Sequence, residues 1–268
     1  MKVSYSSRVG RALARILAAA LFLLPLWWLL ATSLTRPSGS LLTAGFWPAE
    51  PTVENYRRLW VLLPLARYTF NSVRVVLVAV PVTLVVASWA GLALALLPRA
   101  SRYRWIVFSL AVLMVPAAAL WLPRFFLYRL LGWHGSLWAL VAPAWMGTSP
   151  FFVLVYFRSF RRLAPALFDA ARIDGAGVFQ LWWRVGLPLV RPTTLGSGLL
   201  AVLFYWGDFV SPLLYLNSEA AYTLPVALQL LQQLARADWP LLMAGAVWTA
   251  ALPVALFLLV QPWLQQER

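Results

Sequence analysis

The chain has 268 residues, of which 62% are hydrophobic and only 11% charged, and it carries a formal net charge of +14. A charged share so far below the usual value of about 25% excludes an ordinary soluble domain and makes the bilayer the main solvent. With no cysteine and a single histidine, His134, the chain has no disulfide, no thiolate metal site, no His-pair zinc site and no convincing catalytic set of acid, base and nucleophile.

The arginines cluster beside apolar runs, which is the pattern of membrane orientation and not of nucleic-acid binding. A span needs about 20 apolar residues, and six stretches qualify: 12–33, 71–97, 105–127, 137–157, 193–216 and 240–263. The first has a basic start, but its apolar run exceeds the 7–15 residues of a signal-peptide core and Trp27-Trp28 is a poor cleavage context. It is read as a retained helix, with Arg8, Arg11 and Arg15 near one face at the headgroups. With the amino terminus inside, fourteen basic residues fall on inner segments. Seven fall on outer ones: Arg36, Arg57, Arg58, Arg67, Arg124, Arg129 and Arg236. Arg74 lies in a span and is expected to snorkel. The bias is sharpest in the short connection 98–104 and places both termini in the cytosol. The outer segment 35–70 offers Trp47, Tyr56, Trp60 and Tyr68 to an interfacial belt.

The informative stretch is the polar connection 158–192, inside which the sequence reads LAPALFDAARIDGAGVFQLWWRVGLPLVRP. Structureless connections beyond about 12–15 residues are uncommon and usually functional. Pro165 suits a first helical position, and Ala170 and Ala171 leave room for a partner to approach closely. Asp174-Gly175 predicts a helix end in which Gly takes a positive φ. The following VFQLWWRVGLPL reads as amphipathic, with Phe179, Leu181, Trp182 and Val185 expected on the membrane interface and Pro188 expected to stop it.

Asp169-Ala170-Ala171, Asp174-Gly175-Ala176 and Leu187-Pro188 together resemble the E-A-A-x-x-D-G-A…L-P loop of permease subunits of binding-protein-dependent ATP-binding-cassette importers. Two departures stand out: Asp169 replaces the usual Glu, keeping the charge on a shorter stem, and Gly207 replaces an Asn. The FYWGDFVSPLLYL and TLPVAL stretches, the outer T-x-x-N-Y-R signal at Thr52–Arg57 and the Asn71-Ser72 pair resemble the carbohydrate, maltose-type class. The resemblance implies an all-α integral membrane protein of six transmembrane helices, the type I (MetI-like) importer permease fold, with a cytosolic coupling helix. It divides the chain into a start and first helix at 1–34, an extracytoplasmic segment at 35–70, a permease domain at 71–264 and a tail at 265–268.

It also implies the partners: a second permease subunit, an ATPase dimer that holds ATP and Mg, an extracytoplasmic solute-binding protein and the lipid bilayer. The chain itself would bind no cofactor and would not be an enzyme. It would sit in a bacterial or archaeal cell membrane. A phosphate-binding P-loop requires a lysine, and Lys2 is the only one. Asp208, beside Trp206, is the clear intramembrane acid, and with Asn71 these are the candidates for a translocation path. The competing classes are an ion-coupled carrier, which usually has several intramembrane ionisable groups, and an importer of a non-carbohydrate solute.

Overall fold

A computed structural model describes residues 5–37, 47–145 and 150–265, with side chains from 13 to 263 within those ranges. Lys2, Arg8, Arg11, Arg268 and the tail at 266–268 lie outside what it describes at the side-chain level. Among the described residues the fold is all-helical, without a strand. Lipid offers no partner to a free N–H or C=O, and helices satisfy both within one segment.

The elements are α1 (Tyr5–Ser33), α2 (Glu54–Leu62), α3 (Leu65–Leu96), α4 (Arg99–Leu113), a 3₁₀ turn (Ala117–Leu120), α5 (Trp121–Leu130), α6 (Trp138–Trp145) and α7 (Pro150–Phe160). Then come α8 (Pro165–Ile173), α9 (Val178–Gln180), a π-helical turn (Leu181–Gly186), α10 (Leu187–Leu189), α11 (Arg191–Trp206), α12 (Val210–Tyr215), a short turn (Glu219–Ala221), α13 (Leu224–Leu234) and α14 (Trp239–Gln265).

Four stretches are long and apolar enough to cross a membrane: Leu13–Ser33, Leu65–Leu96, Trp138–Phe160 and Trp239–Trp263. Two further helix pairs qualify together but are sharply bent, which gives six spans if each pair is counted as one. Two expectations are corrected here. The run 105–127 is not one helix: α4 stops at Leu113 and the chain turns by 90° before 117–130. The cause is Pro116, held extended at φ −61° and ψ 134°, which lacks an N–H and disfavours helix in the residue before it. The run 193–216 is likewise broken. The helix begins at Arg191, ends at Trp206, and resumes only as α12. Pro212 has no N–H to offer the carbonyl of Asp208, so a continuous helix there would leave a bond unmade. α3 also starts earlier than the apolar run indicates, at Leu65 rather than 71. Its 32 residues extend about 48 Å, well beyond a hydrocarbon core of about 30 Å.

The residues cluster into two compact units. The first comprises Met1–Ala66 and Ala227–Ala251. Here the T-x-x-N-Y-R signature acts as a knot. Asn55, fully buried, donates its amide to the Ser33 and Thr35 carbonyls at 2.9 and 2.7 Å, closing the C-terminus of α1. Tyr56 Oη lies 2.8 Å from Ser33 Oγ. Arg58 forms an ion pair with Asp238 at 2.7 Å, and Asp238 Oδ1 accepts the Leu241 N–H at the start of α14. Gly245 meets Leu228 and Leu231, where a Cβ would come within 2.8 Å of a leucine methyl. Most of α1 before this knot is exposed, with Leu21 and Phe22 above 70%, as a lipid-facing helix is.

The second unit comprises Arg67–Val226 and Leu252–Arg268. Its core includes Ala79, Tyr128, Ala139, Tyr156, Phe160 and Ala201, all at 1% exposure or less. Helices α3 and α7 cross at Gly91, where a Cβ would stand 2.6 Å from Tyr156 Cβ and 2.9 Å from the Phe157 backbone nitrogen. Close approach through small residues is a common way for helices to associate in lipid. The guanidinium of Arg74 lies 4.1 Å from the centre of the Phe70 ring. His134 is also held, its Nδ1 lying 3.0 Å from the Asn217 amide.

Gly91→Val is expected to push α3 and α7 apart and to lower the thermal midpoint of the detergent-purified protein, at a cost of about 1–3 kcal/mol or more for overpacking. Gly196→Ala, in α11 where an added Cβ meets nothing within 4 Å, should leave the midpoint unchanged or raise it, by up to about 1 kcal/mol of helix propensity.

Candidate functional site

Helix α8 stands out of the second unit with little cover. Of its nine residues only Phe168 is buried. Asp169, Ala170, Arg172 and Ile173 are exposed and Ala171 is half-buried. Pro165 opens the helix from an extended Ala164 (φ −63°, ψ 128°), its missing N–H costing nothing at a first turn. Asp169 pairs with Arg172 at 3.0 Å. Both side chains are about half exposed or more, so the pair contributes little to stability and leaves the carboxylate available.

The helix ends as the Asp-Gly pair predicts. Gly175 has φ +83°, its N–H donates to the Arg172 carbonyl at 3.0 Å, and the Ala176 N–H donates to the Ala171 carbonyl at 2.9 Å. These two bonds form a Schellman motif, which satisfies carbonyls that a helix end otherwise leaves open. Around Gly175 an added Cβ would meet nothing, so the requirement for glycine is one of backbone conformation alone.

The chain then returns as the stretch Val178–Leu189, which meets α11 at an 85° bend. This elbow is more deeply seated than an interfacial amphipathic helix. Val178, Phe179 and Trp183 are exposed, but Leu181 and Trp182 are 3% and 4% exposed. Trp182 Nε1 donates to Ser88 Oγ in α3 at 3.0 Å, and its ring lies 5.2 Å from that of Trp89. Burying an indole N–H requires such a partner. Gly186 comes so close to Phe160 that a Cβ would be 3.1 Å from its Cε1. Ser159 Oγ and Thr193 Oγ1, 2.7 Å apart, join α7 to the start of α11. The placement of Leu181 and Trp182 on the membrane interface is therefore corrected.

Pro188 does not stop the helix either. Leu187 is half-buried and Pro188 exposed within helical backbone, and the break comes at Val190 (φ −109°, ψ 24°). The preceding π-turn, Leu181–Gly186, gives the physical reason: its wider bonding pattern relieves the clash that a proline ring makes with the carbonyl four residues earlier. Ser88, Trp182, Gly186 and Phe160 were missed as functional supports, because their pairings cross up to 94 residues of sequence.

The translocation candidates separate. Asn71 is 4% exposed and donates to the Ala220 and Tyr222 carbonyls at 2.9 and 3.0 Å, while Ser72 Oγ accepts the Leu224 N–H at 2.8 Å. The pair is a latch for the 220–224 turn. Trp206 is 3% exposed. Asp208 follows the end of α11 and accepts the Ser211 N–H at 3.1 Å. It lines a cavity of about 350 Å³ with Arg124, Tyr205, Ser211 and Phe204 among its walls. Arg124, counted from sequence as an outer orientation marker, thus shares a cavity with Asp208. Among the described residues no group of three His, Cys, Asp or Glu side chains could hold a metal.

Residues 84–266 match the family described as "Binding-protein-dependent transport system inner membrane component". The chain belongs to this family. It is 31% identical to the sulfoquinovosyl glycerol transport system permease protein of Agrobacterium fabrum over 253 residues, covering 92% of this chain and 88% of that one. It is 32% identical to the arabinooligosaccharides transport system permease protein of Halalkalibacterium halodurans over 232 residues, covering 84% and 82%. In fold it resembles a chain of a bacterial ABC transporter involved in the import of the acidic polysaccharide alginate, with a TM-score of 0.77, 20% identity and coverage of 98% and 99%. This inner membrane component is thus a multi-pass permease subunit of an ABC importer, a transport subunit and not an enzyme.

Gly175 supplies the sharpest test of the site's local geometry. Gly175→Val must either abandon the positive φ or sustain the left-handed penalty of about 1–2 kcal/mol. It is expected to fray the end of α8, read as faster amide hydrogen exchange at 171–176, while Gly175→Asn, which tolerates that region, should exchange nearly as the parent does.

Proposed function

We propose that this permease couples ATP hydrolysis on separate ATPase subunits to uptake of a sugar or related polyol, and that α8 is the element gripped by the ATPase. A second permease subunit would complete the path, an extracytoplasmic binding protein would deliver the solute, and both termini would face the cytosol. The observation that carries the reading is the exposed α8. Its end is fixed by the Gly175 Schellman motif and its return limb is pinned to α3 by Trp182 and Ser88. A helix on such a mount moves as a rigid lever.

The roles divide along the loop. Asp169, Ala170 and Ala171 offer a carboxylate and two small side chains to a close-fitting partner, and Asp174, Gly175 and Ala176 fix the direction in which the helix projects. Leu187 and Pro188 carry the return limb into α11, so a displacement of α8 is delivered to a membrane helix. ATP-driven approach of two ATPase subunits would move two such levers together and reopen the path on the far side, and hydrolysis would reset it. ATP and Mg would stay on the ATPase. The sugar class is supported by relatives named for a sulfoquinovosyl glycerol and for arabinooligosaccharides. Asp208 is the path candidate on this chain.

The test uses the reconstituted importer. Asp169→Lys reverses the exposed charge and is expected to reduce ATP-dependent uptake at least about tenfold, the effect of losing one charge-assisted hydrogen bond. Membrane insertion should persist. In the cysteine-free background, Ala170→Cys should crosslink to the co-expressed ATPase. Normal uptake by Asp169→Lys together with no crosslink from Ala170→Cys would overturn the coupling role.

A further inference from the structure

We infer that the cavity between Arg124 and Asp208 is a solute site for a neutral, polyhydroxylated molecule. The inference rests on the sugar reading above and deepens it by assigning substrate contacts to this chain. The cavity, about 350 Å³, is walled by the end of α4, the 3₁₀ turn, α5, α6, the start of α7, the end of α11 and the start of α12. That size is within the range of small-molecule pockets, which are mostly apolar with a few placed polar groups.

The two charges decide the chemistry. Each is half-buried and lies in or beside a broken span, where an ionised group is costly and usually functional. If they were there only to neutralise each other, they would meet. Yet neither makes a salt bridge among the described residues, whereas Arg58 and Asp238 of the other unit do. Arg124 carries five N–H donors and lines the cavity. Asp208 gives one oxygen to the Ser211 N–H and retains acceptor capacity.

A hydroxyl group both donates and accepts, so adjacent hydroxyls can serve a carboxylate and a guanidinium at once. A purely anionic ligand would be repelled by Asp208, and a purely cationic one by Arg124. The half-exposed ring of Phe204 and the prolines at 143 and 150 supply flat apolar surface for the C–H face of a pyranose. Both breaks in the spans contribute to the wall, through Val115 and Ala117 beside Pro116 and through Asp208 beside Gly207.

The experiment uses the assembled importer in proteoliposomes, with labelled arabinotriose, raffinose, trehalose and sulfoquinovosyl glycerol as probes. The expected result is ATP-dependent uptake of at least one neutral sugar by the parent. Arg124→Gln and Asp208→Asn should each raise its half-saturating concentration about tenfold or more, and Arg124→Lys should recover part of the loss. A variant that fails to assemble is replaced by a second readout: Ser211→Cys in the cysteine-free chain should react with a charged methanethiosulfonate and be protected by the transported sugar. Unchanged half-saturation in both variants, or labelling of Ser211→Cys that sugar does not slow, would overturn the cavity assignment and leave the sugar reading standing. Uptake of sulfoquinovosyl glycerol alone would overturn the neutral-ligand assignment in the same way. Uptake of none of the four would overturn the sugar reading, and this inference with it.

Discussion

The hydrogen bond from Trp182 Nε1 to Ser88 Oγ joins a polar connection to a membrane helix 94 residues away in sequence. Around it, Trp89, Phe179 and Trp182 form a small aromatic cluster, and Gly186 lets the same limb settle on Phe160. The coupling proposed for α8 depends on this anchor, because without it a displacement of the helix would be absorbed as loop motion. Seating the indole in the second unit converts a surface segment into part of its packing. The exposed half of the loop is then free to bind a partner, since its buried half already fixes its position.

The same economy governs the broken spans. Interrupting a helix in lipid leaves backbone groups without partners, at several kcal/mol each if they face hydrocarbon. Among the described residues two spans are interrupted in this way, and at each break there are bonds that meet the demand. At the first, the Met114 N–H reaches back to the Leu110 and Ala111 carbonyls and the Ala119 N–H to the Pro116 carbonyl. At the second, the Gly207 N–H reaches the Leu203 carbonyl and the Asp208 carboxylate takes the Ser211 N–H. Such interruptions are tolerated where they line a cavity, and both breaks contribute to one. The carboxylate therefore serves the backbone and lines the cavity with the same side chain.

How much of this was legible in sequence depended on whether the relevant physics was local. Composition and the apolar runs establish a helical membrane protein, because the requirement for about 20 apolar residues is met within each run. The end of α8 is legible too, since Asp174-Gly175 needs only its own backbone to make the turn. The errors arise where distant segments meet. Leu181 and Trp182 read as interfacial because periodicity cannot distinguish a face turned to lipid from one turned to α3. Pro188 reads as a stop because the π-turn that accommodates it leaves no composition signal. Arg124 reads as an orientation marker, and its further place in the cavity wall follows a 90° turn of the chain that the apolar run does not announce. Asn71 stands among the path candidates, and its NH2 group donates to the Ala220 and Tyr222 carbonyls, a pairing 149 and 151 residues away that sequence does not show.

The T-x-x-N-Y-R signature shows why a matched motif and a functional site must be argued separately. Its asparagine and tyrosine close the end of α1, and Arg58, one residue beyond, ties α2 to the start of α14 through Asp238. These bonds are all made within the protein itself, and of the fixed residues of the signature Arg57 alone is mostly exposed, 3.9 Å from Glu54. In α8 the reverse holds: Asp169 and Ala170 are exposed, Ala171 is half-buried, and only Phe168 is buried. Both motifs carry the family resemblance, but they differ in where their bonding capacity goes. A motif that consumes its own donors and acceptors holds the scaffold. One that leaves them exposed on a rigid mount is where a partner can do work on it.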